Sequence, residues 1–297
     1  LKKLFFTLLL LGSAVVNASE VIKIYSPYSP SHSATPALYK IIDAANSSQT
    51  AYTFILEFKP GGNQTIAVTS LTTENSLAII APAYVDNIAT GKLKEENYVP
   101  VYALGNACWA VVTNKDFKNQ TEFTLGGVGY GNASHLTGLM LAEKYKFKTR
   151  YIVFKSNNDA LINMAGNNGV EFVIDRYESY AALKTKNSNL KMVAASCQTR
   201  LPQEPKVKTL KELGMDAPYV FNIIVASKSM NETRRKAIGI ILNNATKFVG
   251  PEEIYKLSAV RPPVFDNVTV EEFYATSMNT VRIKQEQFKQ QINNARQ

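Results

Sequence analysis

The sequence predicts an α/β protein of about two domains. Three observations carry that expectation. Runs of β-prone residues alternate with helix-periodic segments along most of the chain, the pattern of strands paired in parallel through crossover helices. The 297 residues are enough for two sizeable cores. Two β-prone runs, 99–113 and 219–226, are placed as strands that would pass between domains. No internal repeat and no low-complexity linker separates the halves, so crossing strands rather than a flexible tether are expected to join them. A hydrophobic content of 45% with 19% charged residues is that of a folded chain, not a disordered one.

Residues 1–18 read as an export signal rather than as fold. Lys2 and Lys3 form a positive start, 4–11 is a short apolar run, and Val16-Asn17-Ala18 ends in the small residue that a signal peptidase needs. Cleavage is expected after Ala18. The run is short for a bilayer span, and no lipid-attachment cysteine lies near it. The mature chain is therefore expected to be exported and soluble. Its net charge of +9 falls to +7 without Lys2 and Lys3. No nucleic-acid motif accompanies that charge and the lysines are scattered, so nucleic acid is not an expected partner. Small anions fit better. The two cysteines, Cys108 and Cys197, suit either a disulfide in an oxidising compartment or a pair of buried thiols.

Taken in order, 21–26 is β-prone and alternating, a first strand. A turn-rich loop follows, holding Tyr28, Ser29, Ser31, His32 and Ser33. Thr35 is placed as N-cap with Pro36 at the first helical position, where its missing N–H costs nothing. Leu38, Ile41, Ile42 and Ala45 mark the buried face of the helix. Residues 52–58 are the next strand. They run into Lys59-Pro-Gly-Gly-Asn63, whose Gly61 and Gly62 permit positive φ and close approach. A short helix over 66–71 and a buried strand over 77–81 come next.

Beyond the long run 99–113 lies TLGGVGYGNASHLTGLML, residues 124–141, read as strand, glycine-rich turn and helix. Asn132 is placed as N-cap of that helix. The remaining first-turn amides and the positive end of the helix dipole face the turn, where small residues let a ligand approach. This can be a backbone site for a carboxylate or phosphate formed by Tyr130, Gly131, Asn132, Ala133, Ser134 and His135. The same spacing also serves an ordinary strand–helix connection, and a histidine near a helix start can be purely structural.

Residues 149–155 read as a strand, Ser156-Asn-Asn-Asp159 as a cap, and Ala160, Leu161 and Met164 as a helix face. Asn167-Asn-Gly169 is a turn. A strand over 170–174 ends at Asp175, a helix covers 179–184 and a strand 190–195. A short helix over 210–213 is expected to stop at Gly214. Ser229 with Glu232, and Thr269 with Glu272, have the spacing of capping boxes. The first would open an amphipathic helix with Ile238, Ile241, Leu242, Ala245 and Phe248 inward. The second opens a helix whose polar end is expected to be exposed.

Enzyme constellations are missing from the sequence. There are two histidines and no H-E-x-x-H, no G-x-S-x-G and no Walker A lysine. G-x-G-x-x-G fails because Asn132 occupies its third glycine. Ser134 and His135 are helix neighbours pointing about 100° apart, unsuited to a catalytic pair. Neither a catalytic residue nor a resident metal or cofactor is expected.

The motifs resemble, in order and over nearly all the mature chain, the solute-binding proteins of tripartite tricarboxylate transporters, the Bug receptor family. Ile152-Val-Phe-Lys-Ser156, Ala160-Leu and Asn168-Gly-Val-Glu-Phe-Val-Ile-Asp175 are similar to the family's V-P-Y-K-G, A-L and G-G-x-V-x-x-x-F-D. Ser134-His-Leu136, Pro205-Lys-Val-Lys-Thr-Leu-Lys-Glu-Leu-Gly214 and Lys59-Pro-Gly-Gly62 resemble its S-H-L, P-x-V-x-T-x-x-E-x-G and the end of N-x-P-G-A-G-G.

The resemblance implies a type II-like, two-lobed periplasmic-binding-protein fold with two mixed or mostly parallel sheets flanked by helices. Residues 19–103 and 221–297 would form lobe one, and 104–220 lobe two. A small organic anion, of the carboxylate class, would be held between the lobes without a cofactor. The receptor is expected to be a periplasmic monomer that delivers its cargo to membrane permease subunits; the same cleft would serve a receptor that signals to a sensor instead. Carried onto this chain, lobe one offers Tyr28, Ser29, Ser31, His32, Ser33, Gly61, Gly62, Asn63 and Ala81. Lobe two offers Tyr130 to His135, Lys155 and Asp175. Asp175 could accept from a ligand hydroxyl or ammonium, or cap a turn. The family's first loop, P-P-G-G-x-x-D, is here Ser29-Pro30-Ser31-His32 with Thr35 at the Asp position, so side chains are expected to replace backbone there.

Overall fold

The structure, a computed structural model, describes residues 19–30, 32, 34–71, 74–116, 120–197, 199–201, 203–216 and 220–297. The expected export signal, Ser31 and Ser33 lie outside the described residues.

Strand β1 (Glu20–Ser26) leads through a loop to α1 (Thr35–Ser48) and back to β2 (Tyr52–Phe58). Helix α2 (Thr65–Thr69), β3 (Ser76–Ile80) and α3 (Ala83–Ala89) follow. The chain then runs through β4 (Tyr98–Ala107) directly into β5 (Trp109–Thr113). Next come β6 (Glu122–Gly127), α4 (Ala133–Tyr145), β7 (Lys148–Val153), α5 (Asn157–Ala165), β8 (Phe172–Arg176), α6 (Tyr177–Lys184) and β9 (Lys191–Ala195). Strand β10 (Phe221–Ser227), α7 (Glu232–Val249), α8 (Pro251–Ser258), β11 (Val260–Arg261), α9 (Val270–Gln287) and α10 (Lys289–Arg296) complete it.

Two sheets result, ordered β11-β4-β10-β3-β1-β2 and β7-β6-β8-β5-β9. Both are mixed. Strands joined through helices pair in parallel, β1 with β2 and β3, and β6 with β7 and β8. The strands that change sheet pair antiparallel to their neighbours: β4 with β10, β10 with β3, and β5 with β8 and β9. β4 belongs to the first sheet and β5 to the second, so Cys108 is the one residue between them. β10 pairs with β4 from Phe221 opposite Asn106, beside that changeover.

A disulfide joins Cys108 to Cys197, beyond β9. One of the two arrangements left open by the sequence is therefore present. Alternate residues of β5 and β8 enter different cores, as a period of two requires. Val111 and Ile174 join the large apolar cluster that runs through the first sheet, whereas Val112 and Val173 join a smaller one on the opposite face. Among the described residues no helix is long and apolar enough to cross a membrane.

Several local expectations are corrected. Ala34, not Thr35, is the cap position of α1, and the Ala34 amide donates to His32 Nδ1 at 3.1 Å. Residues 210–213 form a turn rather than a helix: Glu212 accepts the Thr209 amide and its own amide donates to Thr209 Oγ1, which fastens the segment without a second turn. Asn231 rather than Ser229 caps α7, accepting the Arg234 amide at 3.1 Å. Phe248 is 85% exposed, because it lies to one side of the stripe of Ile238, Leu242, Ala245 and Thr246 that α7 buries. The C-terminal end is not simply solvated: Phe288 and Ile292 are buried, so α10 folds back onto the body of the protein. The capping box of Thr269 and Glu272 is complete on both sides.

Candidate ligand-binding site

Between the two sheets lies a cleft of about 830 Å³. The first sheet contributes the loop after β1 and the turn after β2. The loop brings Tyr28, Ser29 and His32, and the turn brings Gly61, Asn63 and Gln64. The turn needs unusual backbone, with Gly61 at φ 115° and Asn63 and Gln64 at 52° and 75°. The Tyr28 and His32 rings stack at 3.6 Å, and the Tyr28 hydroxyl donates to Asn222 on β10. Burial pushes the His32 imidazole down to about 3, and the Arg176 charge acts in the same direction. His32 is therefore a neutral wall of the cleft.

The second sheet contributes strand ends. Trp109 lies just past the changeover, Tyr130 on the glycine turn, Phe154 and Lys155 after β7, and Asp175 and Arg176 at the end of β8. Asp175 is 5% exposed. Burial lifts its carboxyl to about 6, against the opposing pull of the Arg176 amide and charge. The N-terminus of α5 also faces the cleft: Ser156 accepts the Asp159 amide at 3.0 Å, and Asn157 and Asn158 in the first turn line the space. First-turn amides have no acceptor inside their helix, so this end is suited to negative charge.

Of the sequence-predicted site residues, the cleft gathers Tyr28, Ser29, His32, Gly61, Asn63, Tyr130, Lys155 and Asp175. It does not gather Gly62, Ala81, Gly131, Asn132, Ala133, Ser134 or His135. The reason is local. Asn132 does cap α4, but its oxygen accepts the His135 amide at 2.9 Å, and His135 Nδ1 accepts the Gly131 amide at 3.1 Å. The Gly131 carbonyl accepts from Gln285 of α9 at 2.9 Å. The Gly131 and His135 amides are thus taken within the helix start itself, where His135 is 1% exposed.

The glycines serve a close approach of lobe to lobe. A β-carbon on Gly129 would stand 2.4 Å from Asn63 Oδ1, and one on Gly131 would stand 3.0 Å from Asp86 Oδ1.

Sequence reading missed Asp86, Lys92, Trp109, Arg176 and Arg296 as cleft residues. Arg176 had a signal, since it follows Asp175 at a strand end. Arg296 had none: it pairs with Asp86, which is 210 positions away. Burial raises the Asp86 carboxyl, while Arg296 pulls it back. Among the described residues, Lys92, Lys155 and Arg176 line the cleft without a salt-bridged carboxylate. No cluster of three or more His, Cys, Asp or Glu side chains among the described residues is placed to hold a metal ion.

Neither a protein-family model nor a curated protein matches the chain. Solved structures do. The chain is similar to the periplasmic binding protein BugD at a TM-score of 0.73 and 16% identity, covering 91% of this chain and 97% of that one. It is similar to MatC of Rhodopseudomonas palustris, solved with bound malate, at a TM-score of 0.73 and 13% identity, covering 90% and 98%. An R. palustris protein solved with adipate aligns at 0.70 and 14%, covering 89% and 97%. Identities this low speak to architecture, and architecture agrees over almost the full length of each partner: the chain has the two-lobed α/β fold of the periplasmic binding proteins.

Proposed function

We propose that this protein is an extracytoplasmic receptor of the tripartite tricarboxylate transporter type, capturing a small carboxylate between its lobes and delivering it to membrane permease subunits. Residues 19–103 and 221–297 would act as one lobe and 104–220 as the other. The division of strands between the two sheets supports this, with the changeover at Cys108. A periplasmic location, a monomeric receptor and the absence of chemistry on the cargo belong to the same reading. The motif order described above and the malate and adipate carried by two structural neighbours support it.

The observation that carries the reading is the charge balance of the cleft. Asp86 is salt-bridged to Arg296, and against the one other cleft carboxylate, Asp175, stand Lys92, Lys155 and Arg176, none of them in a salt bridge among the described residues. An organic anion supplies what they lack. Each hydrogen bond to a charged group contributes about 1.5–3 kcal/mol, so a few reach micromolar affinity. The test is a thermal-shift screen with mono-, di- and tricarboxylates. A cargo raises the melting temperature in proportion to the logarithm of its concentration above its dissociation constant. No shift with any of them sinks the proposal, and turnover of a bound acid would point to an enzyme instead. Co-purification with a sensor rather than a permease would favour the signalling role.

A further inference from the structure

A second cavity, of about 670 Å³, lies beside the changeover between the sheets. Cys108 and Cys197 both line it, with Lys211 and Met215 from the connection after β9 and Tyr255 and Phe273 from α8 and α9. Trp109, the next residue, lines the cargo cleft instead. Consecutive residues of an extended chain face opposite ways, so the disulfide meets one space and the tryptophan the other. Access is one of the conditions that set thiol–disulfide exchange, and this disulfide borders a space of the volume that small molecules occupy. Its two sulfurs differ. Cys108 is 7% exposed and accepts from the Tyr255 hydroxyl at 3.7 Å, whereas Cys197 is half-buried. Burial, and then the Glu178 charge, raise the Tyr255 hydroxyl above its ordinary 10, so it stays protonated and able to donate. A donor aimed at Cys108 stabilises negative charge there, and the sulfur that carries charge better leaves faster. Attack is thereby directed to Cys197.

We propose that Cys197 is a thiol-exchange site, where a small-molecule thiol entering this second cavity forms a mixed disulfide and frees Cys108 at the changeover between the sheets. The incoming thiolate attacks Cys197 Sγ. A new S–S bond forms as the Cys108–Cys197 bond breaks, and the electron pair of that bond leaves on Cys108 Sγ, which the Tyr255 O–H stabilises until water protonates it. One disulfide is exchanged for another, so the thiol is the sole co-reactant. The effect reaches the cargo cleft through the chain itself. Apart from the disulfide, the crossing is held by the Cys108 amide on the Ala259 carbonyl at 2.7 Å, the Trp109 amide on Ser196 Oγ at 2.9 Å and the Ser196 amide on the Trp109 carbonyl at 2.8 Å. Cutting the covalent tie leaves the segment to such hydrogen bonds, and Trp109 gains freedom on the cleft side. Nothing in the exchange depends on which cargo the cleft takes.

The experiment incubates the folded, oxidised protein with reduced glutathione, quenches samples at intervals with N-ethylmaleimide and maps the peptides by mass spectrometry. Glutathione is expected on Cys197 and the maleimide on Cys108. Trp109 is the only tryptophan in the sequence, so its emission is expected to change in step with the adduct. Tyr255→Phe is expected to slow the exchange about 2- to 10-fold, the worth of one neutral hydrogen bond, without moving the adduct. The wild-type map and emission stand alone should that variant fold poorly. An adduct that forms only after denaturation, an adduct on Cys108 instead, tryptophan emission that ignores the exchange, or an unchanged rate in a folded Tyr255→Phe would each overturn the proposal. So would opening by a protein dithiol reductant alone, with glutathione inert.

Discussion

His135 accepts the Gly131 amide through Nδ1 and is 1% exposed, while His32 stacks on Tyr28 at the cleft wall. The two histidines therefore do different work, one holding a turn and one facing the cargo space. His135→Ala leaves the Gly131 amide buried without its acceptor and is expected to cost about 1–3 kcal/mol of stability, with carboxylate affinity retained. Urea titration and calorimetry on the same variant check the two halves. Arg176→Ala is expected to weaken carboxylate binding by roughly 10- to 150-fold, the worth of one charged hydrogen bond, with the melting temperature of the empty protein nearly unchanged.

The residues also set an acid response. Burial holds both imidazoles near 3, below their ordinary 6.5. The unfolded chain takes up those protons first, so the stability from the histidines is complete above about 6.5 and drains as pH falls toward 3. Asp175 has the opposite sign: raised from 3.8 to about 6, it favours the fold below 3.8 and loses that contribution as pH rises through 6. Two larger displacements outweigh one smaller one. The melting temperature is expected to fall between pH 7 and pH 4; a rise over that interval in scanning calorimetry would contradict the assignment.

At the scale of elements, periodicity and capping chemistry were legible wherever a segment packed as an independent unit. β2, the cap of α4, the cap of α5 and the complete box at Thr269 follow from local residues alone. Thr269→Ala is expected to cost about 1 kcal/mol, measured by chemical denaturation. What misled was a spacing whose capping residue is engaged elsewhere. Ser229 has the spacing to cap α7, but its amide and hydroxyl are bonded to Ser227, and Asn231 caps the helix. Phe248 falls on the flank of its helix rather than on the stripe that Ile238, Leu242 and Ala245 bury. Phe248→Ser is expected to change stability by no more than about 0.5 kcal/mol, against several for a buried phenylalanine.

For the whole molecule, the decisive features join parts distant in sequence. Gln285 of α9 and the Asn63–Asp86 pair close over the glycine turn, bringing elements packed with the first sheet against the turn that leads out of the second. Gly131→Val, with a β-carbon 3.0 Å from Asp86 Oδ1 and a φ of 66° that valine resists, is expected to hold the lobes apart. Small-angle scattering would show a larger radius of gyration, and an unchanged one would count against this contact as a latch. The disulfide acts at the same scale. It closes a loop with a sequence separation of 89 at the changeover between sheets, so Cys108→Ser with Cys197→Ser is expected to cost about 2–5 kcal/mol.

The order of strands and helices, the turn glycines and the two capped helix starts were determined by the sequence itself, because each depends on residues within a few positions of one another. The tertiary structure decided which helix start faces the cleft. The glycine turn before α4 reaches the cleft through Val128, Gly129 and Tyr130, but its Gly131 amide and carbonyl are taken by His135 and Gln285, and the cleft opens as well on α5, Arg176 and Arg296. Whether a backbone polar group is free depends on what packs against it. At this turn the deciding side chain, Gln285, comes from 154 residues further along the chain, and no local pattern encodes that meeting.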